Sequence, residues 1–129
     1  MTPVVGFLLF LGITLILLGC TVVTGLRAKR KPHVFFVVLS VASLGVTIYY
    51  AEKLGELYDL DSAGLITPVH LAIAKVATLS YLLPIITGIR LWFGRGSRRV
   101  HFWIAIAVLL LTVVTAVTGT WMVLASDPL

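Results

Sequence analysis

The chain has few charged residues and a single cysteine. Only 12% of its 129 residues are charged, and Cys20 is the sole thiol. One cysteine excludes an internal disulfide and any metal site built from several thiolates. The sequence also shows no Ser-His-Asp set, no paired carboxylates and no glycine-rich phosphate loop. These absences argue against a hydrolase or a nucleotide-driven pump.

Apolar residues are abundant instead. They make up 60% of the chain, and the mean hydropathy of +1.11 exceeds what a soluble protein of this length could bury. Four apolar runs have the roughly 20 residues that a membrane-spanning helix needs. The predicted helices cover about residues 4–26, 34–54, 66–93 and 101–125. Because two of the connections are short, we predict an all-α fold, an integral membrane four-helix up-down bundle forming a single transmembrane domain over 1–129.

The charges are segregated along the chain. Eight of the ten basic residues lie in or beside the first and third loops: Arg27, Lys29, Arg30, Lys31, Arg90, Arg95, Arg98 and Arg99. The five acids lie elsewhere: Glu52, Glu56, Asp59, Asp61 and Asp127. The positive-inside rule then predicts a multi-pass protein of the cell inner (plasma) membrane with both termini on the outer side. The net charge of +5 suits contact with the anionic lipid bilayer, and we expect no nucleic-acid binding.

His33 and His101 share the same setting, because each follows a basic loop and precedes an apolar run. Both imidazoles would therefore lie at one membrane face, on helices that run in the same direction. Diagonal helices of a bundle are roughly 11–14 Å apart, which suits two imidazoles that bind one metal through bonds of about 2 Å. We predict b-type haem, or alternatively copper, between these histidines. The expected propionate partners are Arg27, Arg90, Arg98 and Arg99.

Each histidine heads a helix face of small or hydroxylated residues, found by stepping three or four positions along the chain. Examples are Ser40 and Thr47 below His33, and Thr112 below His101. These faces are expected to point inward around a cofactor. The alternative is that small and hydroxylated residues only pack membrane helices closely, as expected for Gly12 and Gly19 in the first helix.

His70 lies near the opposite membrane face, at the start of the third helix. A second metal site that pairs His70 with Met122 is conceivable, and a hydrogen-bonded histidine is the alternative. Lys75 lies deeper in the same helix, where a charge is by default a functional candidate. It could bind a quinone oxygen or a haem propionate, or it could reach the outer surface or pair with Glu52 or Glu56. Pro84 should kink this helix.

Three histidine-containing segments carry a resemblance to a known family. They read Lys31-Pro32-His33, Thr67-Pro68-Val69-His70 with Leu83-Pro84 following, and Arg98-Arg99-Val100-His101, with Val117-Thr118-Gly119 near the end. The chain from Lys31 to Leu124 resembles domain of unknown function family 420, bacterial membrane proteins linked to haem-copper oxidase assembly. The resemblance implies a respiratory-chain protein in which His33, His70 and His101 bind haem or copper.

The resemblance has one departure. The family has a further histidine after the tyrosines that close the second helix, whereas this chain reads Tyr49-Tyr50-Ala51-Glu52. This departure favours the inner histidine pair over an outer one. A weaker similarity to small b-type membrane cytochromes points the same way.

Two functional hypotheses follow from the sequence. The first is a small electron-transfer protein that holds haem or copper between His33 and His101 and relays electrons with quinone or assists oxidase assembly. The second is a non-catalytic accessory subunit that packs against a larger membrane protein complex. Either role is more consistent with the sequence than an independent enzyme.

Overall fold

The structure, a computed structural model, describes all 129 residues. Its helices are α1 (Pro3–Leu26), α2 (Arg30–Gly55), α3 (Ile66–Ser80), α4 (Leu82–Trp92) and α5 (Arg98–Ala125). A 3-10 helix covers Leu60–Ala63, and two short strands are β1 (Tyr58–Asp59) and β2 (Asp127–Pro128). Four helical stretches are long and apolar enough to cross a membrane, with α3 and α4 together forming the third. The predicted helical class is therefore confirmed.

Two helices begin earlier than predicted. α2 starts at Arg30 rather than 34, and α5 starts at Arg98 rather than 101. The prediction followed apolar residues alone, whereas the basic residues themselves form the first helical turn. At α5 the Ser97 side chain accepts a hydrogen bond from the Val100 N–H, which caps the helix. His33 and His101 consequently lie inside the first turn of their helices.

The third apolar stretch is interrupted at Tyr81, between α3 and α4. Pro84 explains the interruption, because it has no N–H to donate to the carbonyl of Ser80. The next residue, Ile85, bonds the carbonyl of Tyr81 at 3.4 Å. The interruption therefore lies within one turn of Pro84, the residue at which the sequence predicts a kink.

The chain forms two compact units, residues 1–58 with Leu129, and residues 59–128. The first unit is an antiparallel hairpin of α1 and α2. Thr14 contacts Thr47 and Ser43, whereas Thr21, further along α1, contacts the earlier residue Ser40. The two helices therefore run in opposite directions. Their connection is tight, and Ala28 within it has a φ of 54°.

The second unit packs α3 and α4 against α5. His70 contacts Thr118, Tyr81 contacts Thr112, and the later residue Thr87 contacts His101. Residues later in α3 and α4 therefore contact residues earlier in α5. This unit is also an antiparallel helical hairpin. At its far end the Ser62 hydroxyl accepts a hydrogen bond from the Asp127 N–H at 2.8 Å.

Small and hydroxylated side chains fill most of the buried positions, although Leu54, Val108 and Met122 are buried too, and most large apolar side chains point outward. The buried polar residues are Thr14, Ser40, Ser43, Thr47, Thr67, Thr112 and Ser126. Ile16 and Leu79 by contrast are 68% and 67% exposed. This pattern is the reverse of a soluble core and is typical of helices surrounded by lipid. The predicted inward faces are buried at Ser40, Thr47 and Thr112.

Candidate functional site

His33 is half-buried and lies against the end of α1. Its Nδ1 is 2.9 Å from the carbonyl oxygen of Thr21. The ring also lies on Gly25, where an added Cβ would be 3.1 Å from the imidazole Cε1. Because a carbonyl oxygen only accepts, Nδ1 must donate. The neutral ring therefore carries its proton on Nδ1 and its lone pair on Nε2.

His101 occupies the equivalent place in the second hairpin. Its Nδ1 is 2.9 Å from the Thr87 hydroxyl, and its Cε1 would be 3.3 Å from a Cβ on Gly88. The single hydroxyl proton of Thr87 is directed to the carbonyl of Leu83 at 2.9 Å. The hydroxyl oxygen is therefore left to accept a hydrogen bond from Nδ1. The tautomer of His101 is thus the same as that of His33.

His70 repeats the arrangement at the other end of the second hairpin. Its Nδ1 is 3.0 Å from the hydroxyl of Thr118, which donates its own proton to the Val114 carbonyl. The ring lies on Gly119, where an added Cβ would be only 2.8 Å from Cε1. Met122, the predicted partner of His70, is buried one helical turn beyond Thr118. A His70 and Met122 metal site stays a prediction.

Each of the three glycines on which a histidine ring lies is preceded in the sequence by a threonine. The dipeptides are Thr24-Gly25, Thr87-Gly88 and Thr118-Gly119. The first two also share the order Thr-Gly, an aliphatic residue, an arginine and then a histidine that opens the next helix. The sequence interpretation missed this repeat, although the recurring Thr-Gly dipeptide was the available signal. In both hairpins one histidine ring lies on the glycine of the preceding helix, although Nδ1 bonds the Thr21 backbone carbonyl in the first hairpin and the Thr87 hydroxyl in the second.

The glycines expected to pack α1 were the wrong ones. No atom lies within 4 Å of a Cβ added at Gly12 or Gly19. Gly25 contacts His33 instead, and at the other end of α1 Gly6 contacts the ring of Tyr50. The seven-residue spacing between Gly12 and Gly19 did not identify the side of α1 that faces α2. The hydroxyl of Thr14 identifies that side, since it bonds both Ser43 and Thr47.

A metal-ligating histidine commonly donates its other ring N–H to an oxygen, which fixes the tautomer and orients the ring. The Nδ1 bonds of His33 and His101 satisfy this requirement, so the donor chemistry fits a haem iron. No group of three or more His, Cys, Asp or Glu side chains lies together, so a site of that kind is not formed. His33 belongs to the first unit and His101 to the second. Their pairing on one metal stays a prediction.

The four arginines expected to contact propionates are all exposed. Arg27 caps the C-terminus of α1, two residues after Gly25, and Arg90 lies two residues after Gly88. Arg98 and Arg99 form the first turn of α5 with His101. Each predicted ligand therefore has basic side chains on its own hairpin, and their binding to a propionate stays a prediction.

Two open grooves flank Trp121 in the second unit. The first is lined by Ala116, Val117, Thr120, Trp121 and Leu124, and the second by Ala63, Leu65, Ile66, Val69 and Trp121. Neither groove is lined by a histidine. They are therefore separate from the predicted site.

Comparison with protein-family models, with curated proteins and with solved structures finds no match to this chain.

Proposed function

We propose that this chain is a small membrane-spanning electron-transfer protein that binds one b-type haem through His33 and His101. The observation that carries the proposal is that the Nδ1 atoms of both imidazoles make the same kind of hydrogen bond. Each is held by an Nδ1 hydrogen bond to a threonine oxygen, at the beginning of a helix long and apolar enough to span a membrane. That arrangement supplies two Nε2 lone pairs in a defined tautomer, which is the donor chemistry that b-type haem requires. Copper is the alternative metal.

The proposed setting is the cell inner membrane, with the helices arranged as an up-down bundle and both termini outside. Support comes from the four apolar helical stretches and from the placement of basic residues in the first and third connections. Both histidines then lie at the cytoplasmic face. The exposed large apolar side chains would contact lipid tails.

In this proposal His33 and His101 hold the iron, and exposed arginines bind the propionates. Arg27 and Arg90 each follow, by two residues, the glycine on which a histidine ring lies. Arg98 and Arg99 precede His101 by less than one helical turn. When bound, haem supplies a reversible one-electron couple. The Nδ1 hydrogen bonds orient the imidazole rings, and in the neutral rings they leave Nε2 as the ligand atom. The role would be electron relay with quinone, or assistance in oxidase assembly as part of a larger complex.

The test is a reduced-minus-oxidised visible spectrum of the purified protein, with iron and copper measured by elemental analysis. A haem band is expected in the wild type, and His33→Ala and His101→Ala should each abolish or broaden it. His70→Ala is the matched control, because it removes an imidazole with the same Thr-Gly contacts and should leave the band. A wild type without haem or copper refutes the proposal. A band that survives in both inner variants refutes the ligand assignment.

A second candidate is a non-catalytic accessory subunit of a larger membrane complex. The specific observation in its favour is that His70 makes the same contacts as His33 and His101, with a threonine oxygen at Nδ1 and a glycine beneath the ring. Such a contact between a histidine ring and a glycine packs two helices closely without a cofactor. In this case all three histidine variants destabilise their hairpins, and the purified wild type contains neither metal.

A further inference from the structure

Lys75 is a cation on the outside of an apolar helix. It lies in α3, within the third stretch able to span a membrane, and its side chain is exposed. Lys53 forms an ion pair with Glu56 at 2.8 Å, and Lys75 takes no part in it. The second hairpin therefore leaves this ammonium group on its surface.

The depth of Lys75 makes an unpaired ammonium group unfavourable in a bilayer. Lys75 is nine residues beyond Ile66, the first residue of the spanning stretch. At 1.5 Å per residue this places it about 13 Å along a 27-residue stretch of about 40 Å, and therefore within the part of the helix that a hydrocarbon core of about 30 Å covers. Charged side chains at such depth usually pair with another polar group in the membrane.

The residues around Lys75 leave room for another helix. Ala72 and Thr78, three positions before and after it on the same face, are both small and exposed. Leu71 and Leu79 border this face and are 44% and 67% exposed. Small residues on a spanning helix allow a partner backbone to approach closely. We call this surface, defined by Ala72, Lys75 and Thr78 with Leu71 and Leu79, the Lys75 face.

We infer that the Lys75 face docks a spanning helix of a different membrane protein, one that carries an aspartate or glutamate at matching depth. Charge complementarity identifies this partner, because a buried carboxylate satisfies the ammonium group. A second copy of this chain has no acid at matching depth within a spanning helix. Its acids lie in the last turn of α2 at Glu52, in residues 56–61, or at Asp127. The inference rests on the proposed membrane placement but not on haem binding.

The experiment uses the full-length protein in phosphatidylcholine vesicles with labelled synthetic spanning peptides of leucine and alanine. One peptide carries a single central aspartate, and matched peptides carry asparagine or leucine there. Energy transfer from donor-labelled protein measures binding. The aspartate peptide should bind at least about tenfold more tightly than the leucine peptide. Lys75→Leu should remove this preference and Lys75→Arg should keep it, whereas Lys53→Leu is the matched control and should have no effect.

Equal binding of the aspartate and leucine peptides overturns the inference, and so does a preference that survives Lys75→Leu. Self-association that is lost in Lys75→Leu would identify a second copy as the occupant and also overturn it. In vesicles that also contain phosphatidylglycerol, retention of this lipid that requires Lys75 but no peptide would identify a lipid headgroup as the occupant and overturn the inference. Alkaline carbonate extraction of the same vesicles separates failed docking from failed membrane placement. The visible spectrum reports haem binding independently.

Discussion

The imidazole of His70 lies directly on Gly119, where a Cβ would stand 2.8 Å from the ring Cε1 and 3.2 Å from Nε2. The side chain of any other residue would displace the histidine or separate the helices. The same relationship, with slightly more space, joins His33 to Gly25 and His101 to Gly88. Close approach of α3 to α5 therefore depends on the missing side chain of one glycine.

Gly119→Ala should destabilise the second hairpin by about 1–3 kcal/mol, because the added methyl group overlaps a ring that cannot move without losing its bond to Thr118. Far-UV circular dichroism during titration of the micelle-bound protein with sodium dodecyl sulfate measures this change. Gly12→Ala is the matched control, since its Cβ meets no atom within 4 Å. Stability of that variant should stay the same or rise by up to about 1 kcal/mol. Equal stability of the two variants would contradict the prediction.

Thr14→Val should destabilise the first hairpin by about 1 kcal/mol, the usual scale for interhelical hydrogen bonds in membranes. Thr14 is 1% exposed, and its hydroxyl is 2.7 Å from that of Ser43 and 3.0 Å from that of Thr47. The same detergent titration measures the loss. Thr120→Val is the control, because the exposed Thr120 bonds only the Ala116 carbonyl of its own helix. A loss in Thr120→Val as large as in Thr14→Val would show that the hydroxyl cluster contributes nothing specific.

Ala28→Gly should stabilise the first hairpin by about 1 kcal/mol, because Ala28 has the left-handed φ of 54° that favours glycine. The Lys29 N–H bonds the Thr24 carbonyl at 3.0 Å around this position. The second hairpin makes the corresponding turn at Gly94, with φ of 70° and a bond from the Arg95 N–H to the Arg90 carbonyl. Gly94→Ala should therefore destabilise by a similar amount. Unfolding curves of the two variants should shift in opposite directions, and a shift in the same direction would refute the prediction.

Thr87→Val tests whether His101 is a ligand, because it removes the oxygen that accepts from Nδ1 while keeping the imidazole. Loss of such a contact typically lowers metal affinity by about 10–100-fold. Haem titration, followed by its visible band and midpoint potential, measures the change. Thr118→Val removes the equivalent contact from His70 and should leave both properties unchanged. If the two variants bind haem alike and with wild-type affinity, His101 is not a ligand.

The composition and the spacing of apolar residues were sufficient to predict four spanning-length helices and the interruption near Pro84. The predicted inward faces are also correct at Ser40, Thr47 and Thr112, because helical periodicity places residues three or four apart on one face. The ends of α2 and α5 were not predictable in this way. α2 begins at Arg30 and α5 at Arg98, because helical backbone hydrogen bonds also form at basic residues. The positions of apolar residues do not reveal these helix starts.

The sequence by itself determined that this chain is helical and apolar enough to cross a membrane four times, since length and hydropathy depend on composition alone. It also singled out the three histidines by their position. Only the tertiary structure decided what each histidine contacts, because Gly25, Gly88 and Gly119 meet their imidazoles across helix pairs. It likewise decided that Lys75 lies on an exposed side of α3. The side that a helix turns toward its neighbour depends on how two surfaces fit, which the order of residues in one helix does not specify.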